Sequence, residues 1–290
     1  MSNDLLELEH VTKSFAIGGV FGRGHFNAVD DVSFTVRAGR PEILAIIGES
    51  GSGKTTLARM ILNTLAPTGG VIRFRGEEIR AACGRKRRLD FIRHIQPILQ
   101  NPYEAFNPLK RVDRYLYASA IQLAGARSQK ARDETVDAAL RKVGLSLSEV
   151  RGRFPHELSG GQLQRTAIAR ALVSSPALIV ADEPVSMVDA SLRMSIVNLF
   201  QRLRDDLQAS ILYITHDLAT AYYISDRVII MQNGKVVEMG PAHEVLTHPQ
   251  HPYSILLKES VLSPDDVFRR RPAREHVGEE TRLERLRNGA

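Results

Sequence analysis

The chain has 290 residues, 43% of them apolar, with one Cys and no Trp; this suits one or two domains with a buried core and excludes a disordered chain. A single Cys excludes a disulfide framework and any site built from several thiolates, and fits a reducing compartment; no run of about 18 apolar residues offers a membrane-spanning helix, and the opening MSNDLLELEH lacks the basic-then-apolar pattern of a secretion leader. The net charge of +6 is concentrated in residues 80–93, with six basic residues against Asp90, and in residues 269–290, with seven Arg against four Glu, so the bulk of the chain is not basic and the clusters read as a solvated loop and a solvated helical tail.

In chain order, residues 5–15 and 29–36 read as strands; Val32, Phe34 and Val36 alternate with polar residues in the second. The Gly-rich residues 18–24, with Val20 and Phe21 among them, read as a loop. Residues 43–47 form a short apolar run of the kind a fully buried parallel strand shows. This run leads directly into GESGSGKTT and then a helical pattern of Leu57, Ile61, Leu62 and Leu65, closed by Pro67.

Residues 101–157 have a different character, a Pro-punctuated loop followed by helical stretches at 112–124 and 130–143. Beyond them the α/β rhythm resumes: helix 161–173, strand 178–181, helix 192–207, strand 211–214 and helix 218–224. A hairpin spanning 228–231 and 235–238 turns at Asn233-Gly234, the strong two-residue turn signal. The expected organisation is an α/β domain at 1–245, interrupted by a helical insertion at about 101–157, then a C-terminal extension with a charged tail at 246–290.

Residues 48–55 read G-E-S-G-S-G-K-T, the P-loop pattern. Gly48, Gly51 and Gly53 let the backbone wrap around phosphate, so that amides and the start of the following helix face the anion. Lys54 supplies a cation to the terminal phosphates, and the Thr55 hydroxyl is positioned to ligate Mg²⁺. A second apolar strand, 178–181, runs into Asp182 and Glu183. Adjacent acids on an extended chain point opposite ways, so Pro184 marks the strand's end: Asp182 is expected to hold Mg²⁺, Glu183 to polarise the attacking water.

Residues 158–162, LSGGQ, carry a capping box, Ser159 with Gln162. Two glycines in a first turn weaken a helix by about 1 kcal/mol each relative to Ala, so their presence implies that something approaches that backbone. One nucleotide does not need two such anion sites from one chain. The second site therefore points to a nucleotide held by another subunit.

On these motifs the sequence resembles the nucleotide-binding subunit of an ATP-binding cassette (ABC) transporter across roughly residues 4–260. The resemblance implies ATP and Mg²⁺ as ligands and a P-loop ATPase core of α/β class, with an antiparallel β subdomain, the inserted helical subdomain and the C-terminal extension. It assigns Gly48, Glu49, Ser50, Gly51, Ser52, Gly53, Lys54, Thr55 and Thr56 to the Walker A phosphate loop. Asp182 ends Walker B, with Glu183 catalytic, Gln100 the Q-loop residue that also meets the metal, and His216 the switch histidine. Ser159, Gly160, Gly161 and Gln162 belong to the signature, and Asp189 to the D-loop, although Met187 and Val188 depart from its usual Ser-Ala-Leu-Asp. Phe15, which alone reads as a core residue, becomes the aromatic that stacks on adenine.

Within the family, HPYSILLKESVLSPDD resembles the C-terminal extension of oligopeptide, dipeptide and nickel importer ATPases, and GGVFGRGHFNAVDDVSF resembles the segment that marks F-type subunits. Some relatives carry a cysteine-ligated iron–sulfur cluster in that extension; Cys83 alone cannot supply one. The resemblance implies a peripheral ATPase at the cytoplasmic face of the inner membrane. Its partners would be a second cassette, by the F-type insert a non-identical D-type one, with two transmembrane permease subunits and an extracytoplasmic solute-binding protein, and no nucleic acid. Oligosaccharide, opine and nickel-chelate importers stand as alternatives for the solute, and a soluble cassette ATPase acting on nucleic acid as the alternative class. A P-loop kinase or GTPase is disfavoured, because there is no N-K-x-D motif and the signature would have no use.

Overall fold

The computed structural model describes residues 4–19, 22–79 and 84–260. Val20, Phe21, Arg80, Cys83 and the basic tail lie outside the described residues.

Two sheets share one core. The larger has the order β10-β9-β3-β8-β7-β6, made of β3 (Ile43–Ile47), β6 (Ile95–Ile98), β7 (Leu178–Asp182), β8 (Ser210–Thr215), β9 (Arg227–Gln232) and β10 (Lys235–Pro241). All its neighbours are parallel except β9 and β10, the hairpin closed at Asn233-Gly234. Every residue of β3 is buried, as a parallel strand covered on both faces requires. The period of two divides each strand between two layers. Leu44 and Ile46 of β3 and Leu178 and Val180 of β7 face one cluster. Ala45 and Ile47 face a second, while Ile179 and Ala181 face a third.

The smaller sheet, β2-β1-β4-β5, is antiparallel. It contains β1 (Asp4–Gly19), β2 (Gly22–Arg37), β4 (Gly69–Phe74) and β5 (Glu77–Glu78). Its inner residues Leu6, Leu8, Val32 and Val36 meet Leu57, Met60 and Ile61 of α1 (Lys54–Ile61) over the parallel sheet. Each such fully buried side chain contributes about 1.5–3 kcal/mol. The helix that follows the phosphate loop is thereby clamped from both sides.

The insertion carries α3 (Asp113–Gln122), α4 (Gln129–Lys142) and α5 (Leu147–Val150), and α6 (Gly160–Leu172) follows it. Ser128 caps α4 by accepting the Ala131 amide at 3.1 Å. Leu116, Ala120, Val136 and Leu140 join Leu163, Ile168 and the sheet residues Ile179 and Ala181 in one continuous cluster. The helical region is thus fastened to the sheet through α6. Beyond it come α7 (Ala190–Leu207), α8 (Leu218–Ile224), α9 (Ala242–Thr247) and α10 (Pro252–Ser260).

Two features differ from the sequence expectation. Of the residues read as a Gly-rich loop, the described ones continue the β1–β2 ladder, Gly18 opposite Arg23 and Gly19 opposite Gly22; a two-stranded ribbon satisfies its own backbone, so these glycines need no core to stay extended. Part of the basic segment read as a loop forms α2 (Arg85–His94), which follows a sequence, RKRRLDFIRH, with scarcely any apolar period. Its anchor is Phe91, edge-on to Phe74 of β4 at 6.1 Å. Phe15, expected at the adenine rather than in the core, is 42% exposed.

Candidate active site

The turn from β3 to α1 is held in a shape that only glycine permits. Gly51 and Gly53 adopt φ of 84° and 103°. At Gly48 an added Cβ would stand 2.3 Å from the Met231 carbonyl oxygen, and at Gly53 2.3 Å from that of Ala28. The Asn233-Gly234 turn, with φ of 49° and 81°, buttresses the loop from behind: the Gly234 amide donates to the Ser52 carbonyl at 3.1 Å, and the Asp30 amide to the Gly234 carbonyl at 2.9 Å. No side chain caps the start of α1, so its first amides are available to an anion.

Lys54 is buried, and its Nζ donates to the carbonyls of Gly48 and Glu49, both at 2.7 Å. Burial pushes its pKa below the ordinary lysine value, against the pull of Glu183, Asp182 and Glu49. A desolvated ammonium held by neutral carbonyls is poised for a more negative partner. Burial raises the carboxyl of Asp182, at the end of β7, above the usual range, against the opposing pull of the nearby Thr55 hydroxyl and of Lys54. A half-buried carboxylate beside a hydroxyl is a hard-oxygen pair suited to Mg²⁺, which takes one or two protein oxygens and completes its shell with phosphate and water. Among the described residues no cluster of three His, Cys, Asp or Glu side chains is placed to hold a metal ion.

Glu183 follows Asp182 with φ of 45°, left-handed in a non-glycine residue. Such backbone costs on the order of 1–3 kcal/mol and persists only where surroundings enforce it. Here the Glu183 amide donates to the Ile214 carbonyl at 2.9 Å, and its own carbonyl accepts from the amide and hydroxyl of Ser186. The twist separates the two acids. Glu183 Oε2 accepts from Gln100 Nε2 at 2.9 Å, and Oε1 lies 2.9 Å from His216 Nδ1. Two residues, each more than thirty positions from Glu183, thus meet on its carboxylate.

One cleft of about 880 Å³ gathers the phosphate loop, Gln100, Glu183, His216 and Phe15. Phe26 lines it too, directly opposite Phe15 across the hairpin and 49% exposed. Phe26 escaped the sequence reading, although the strand register would have paired the two aromatics. Leu257 and Ser260 of α10 also line the cleft, which nothing in their sequence announces.

Ser159, Gly160, Gly161, Gln162 and Asp189 do not line this cleft. Ser159 Oγ accepts the Gln162 amide at 3.2 Å, and Gln162 Oε1 accepts the Ser159 amide at 3.0 Å, completing the capping box. The two signature glycines differ. A Cβ on Gly161 would meet Leu192 Cδ1 at 2.8 Å, whereas one on Gly160 would meet nothing within 4 Å. Gly161 is explained by packing; Gly160 is bare. Asp189 stands exposed at the start of α7 and makes no side-chain cap. Buried Gln164, which the sequence reading passed over, donates to the Pro184 carbonyl at 2.7 Å and ties the signature helix to the chain just past Glu183.

A parallel sheet with a glycine loop at the end of one strand and two acids at the end of another defines a P-loop nucleoside triphosphatase. Residues 29–186 match the family described as ABC transporter, and residues 237–289 the oligopeptide/dipeptide transporter C-terminal region. The chain is 40% identical over 275 residues to the oligopeptide transport ATP-binding protein OppF of Bacillus subtilis strain 168, covering 95% of this chain and 88% of that one. It is 41% identical over 260 residues to AppF of the same organism, covering 89% and 78%. A dimeric ATP-binding cassette solved in a post-hydrolysis state with ADP and Pi superposes with a TM-score of 0.71 at 26% identity, covering 82% of this chain and 98% of that one. The chain belongs to the ABC transporter family, and its fold is that of the family's ATP-hydrolysing cassettes.

Proposed function

We propose that this chain hydrolyses ATP to drive import of small solutes, oligopeptides or dipeptides first among them, as one cassette of a binding-protein-dependent transporter. The observation that carries the reading is the division of the nucleotide machinery: the phosphate loop and the Glu183 clamp share one cleft, while Gly160 stands bare outside it. Two cassettes meeting head to tail would set the signature of one on the nucleotide of the other. The C-terminal match and the names of the relatives favour peptides as the solute.

In this reading the amides of residues 48–56 and the start of α1 bind the phosphates, and Lys54 turns from the carbonyls of Gly48 and Glu49 to the terminal phosphates. Thr55 and Asp182, with Gln100, would hold Mg²⁺, which supplies charge neutralisation between the phosphates when bound. Glu183 orients the attacking water and takes its proton. Gln100 and His216 hold the Glu183 carboxylate, and its left-handed backbone fixes the direction it faces. Phe15 and Phe26 offer the base a stacking surface, and Asp189 faces the partner cassette. None of the described helices is long and apolar enough to cross a membrane. The subunit is peripheral, on the cytoplasmic face of the inner membrane beneath two permease subunits, with an extracytoplasmic binding protein beyond them and a D-type cassette beside it. Residues 1–245 form the nucleotide-binding domain, with the helical insertion at 101–157, and 246–290 the extension.

The test is reconstitution with the permease and binding-protein subunits. ATP turnover stimulated by a loaded peptide-binding protein supports the proposal. Turnover that ignores peptide but responds to a sugar or nickel chelate would reassign the solute.

A further inference from the structure

The last of the described helices reaches the phosphate loop. α10 is seated by two anchors. The Glu238 carboxylate of β10 accepts the amides of Gln250 and His251 at 3.0 and 3.1 Å. Tyr253 and Leu257 enter the apolar cluster that holds Ala45 and Ile47 of β3, the strand that delivers the loop. From this position the Tyr253 hydroxyl oxygen accepts the Glu49 amide at 3.0 Å, and Leu257 and Ser260 form part of the cleft wall.

The Glu49 amide belongs to the same planar peptide unit as the Gly48 carbonyl. That carbonyl accepts from Lys54 Nζ at 2.7 Å. One peptide at the mouth of the loop is therefore pinned on both sides, by the lysine through its oxygen and by Tyr253 through its N–H. When Lys54 turns to phosphate, the oxygen side loses its partner, and the Tyr253 bond remains to keep the plane from rotating. A loop already fixed in its bound shape spends less binding energy on ordering itself.

We propose that Tyr253 is a positioning residue for the phosphate loop, through which α10 sets nucleotide affinity. This rests on the reading of residues 48–55 as the phosphate cradle. Because coupling between sites is reciprocal, nucleotide in the cleft tightens α10 in return. The C-terminal segment is then a part of the nucleotide site, and whatever pulls on α10 loosens ATP.

The experiment compares the full-length chain with its Tyr253→Phe variant, which keeps the ring and removes only the acceptor. ATP and ADP affinities are measured by titration, and hydrogen exchange of residues 252–260 with and without ADP. The expected result is a Kd about 3- to 10-fold weaker, the scale of one lost hydrogen bond, with the nucleotide-free melting midpoint lowered by no more than about 2–4 °C. In the native chain ADP slows exchange across α10 several-fold, and in the variant this slowing is lost. Wild-type affinity in the variant, or exchange in native α10 that ignores ADP, overturns the inference; the second result needs no variant to fold. Lys54→Ala, run in parallel, separates the two readings. If it loses nucleotide while Tyr253→Phe does not, only the role of Tyr253 falls; if it binds as the native chain does, the cradle itself falls.

Discussion

The phosphate loop and the signature helix start are both anion-facing ends of helices, yet they are built in opposite ways. The loop is tied to distant parts of the chain while the first amides of α1 stay open: Lys54 holds two carbonyls, Ser52 the hairpin turn, Glu49 Tyr253. The signature satisfies only itself, through the Ser159–Gln162 capping box, and leaves Gly160 open. The loop is shaped to receive a ligand within this chain. The signature is closed on itself and, on the proposed reading, has nothing to act on until a second surface arrives. On the proposed reading, hydrolysis waits on assembly because half of the site is preorganised on each of two chains.

The sharpest way to break this comparison is at the chemistry that one side alone supplies. Glu183→Gln is expected to leave ATP binding intact and slow hydrolysis by about 10²- to 10⁴-fold, as loss of a general base does; single-turnover hydrolysis measures it, and retained turnover removes Glu183 from its role. Lys54→Ala strips the loop of its desolvated cation, and titration calorimetry is expected to read an affinity loss of about 10²- to 10³-fold. Ser159→Arg crowds the open side instead. In the assembled transporter it is expected to cut hydrolysis by about 10²-fold, the scale of a misplaced reacting group, while the lone chain binds ATP as before. Equal loss of binding would put the signature on its own chain's nucleotide.

Smaller effects divide the two glycines. Gly161→Ala drives a methyl into Leu192 and is expected to cost about 1–3 kcal/mol of stability by overpacking. Gly160→Ala meets empty space and is expected to raise stability by up to about 1 kcal/mol through helix propensity, yet to impair hydrolysis in the assembly. Thermal melts beside activity assays resolve the pair; stability falling alike in both would mean that Gly160 too is a packing residue.

Much of this architecture was legible because local and tertiary demands agree. The run at β3, the glycine loop and the period of α1 all state one motif, and Asn233-Gly234 states its turn without context. What stayed hidden was decided by contacts distant in sequence. β6 reads IQPI, four residues with Pro97 among them, tolerable because the strand lies at the sheet edge. α2 has almost no apolar stripe and exists through Phe91 against Phe74. In the site, each motif residue could be named, but the clamp on Glu183 depends on a left-handed backbone that composition does not encode. Tyr253 was visible only as part of a C-terminal pattern; its partner is 204 residues away.

The Phe15–Phe26 rung has a practical consequence. The chain contains no Trp, and these two rings stand at the rim of the cleft, well exposed and on a self-sufficient ribbon. Phe26→Trp would install a single indole there, the only one in the protein. Its emission could follow nucleotide arrival and departure in real time in the free chain, without any attached dye.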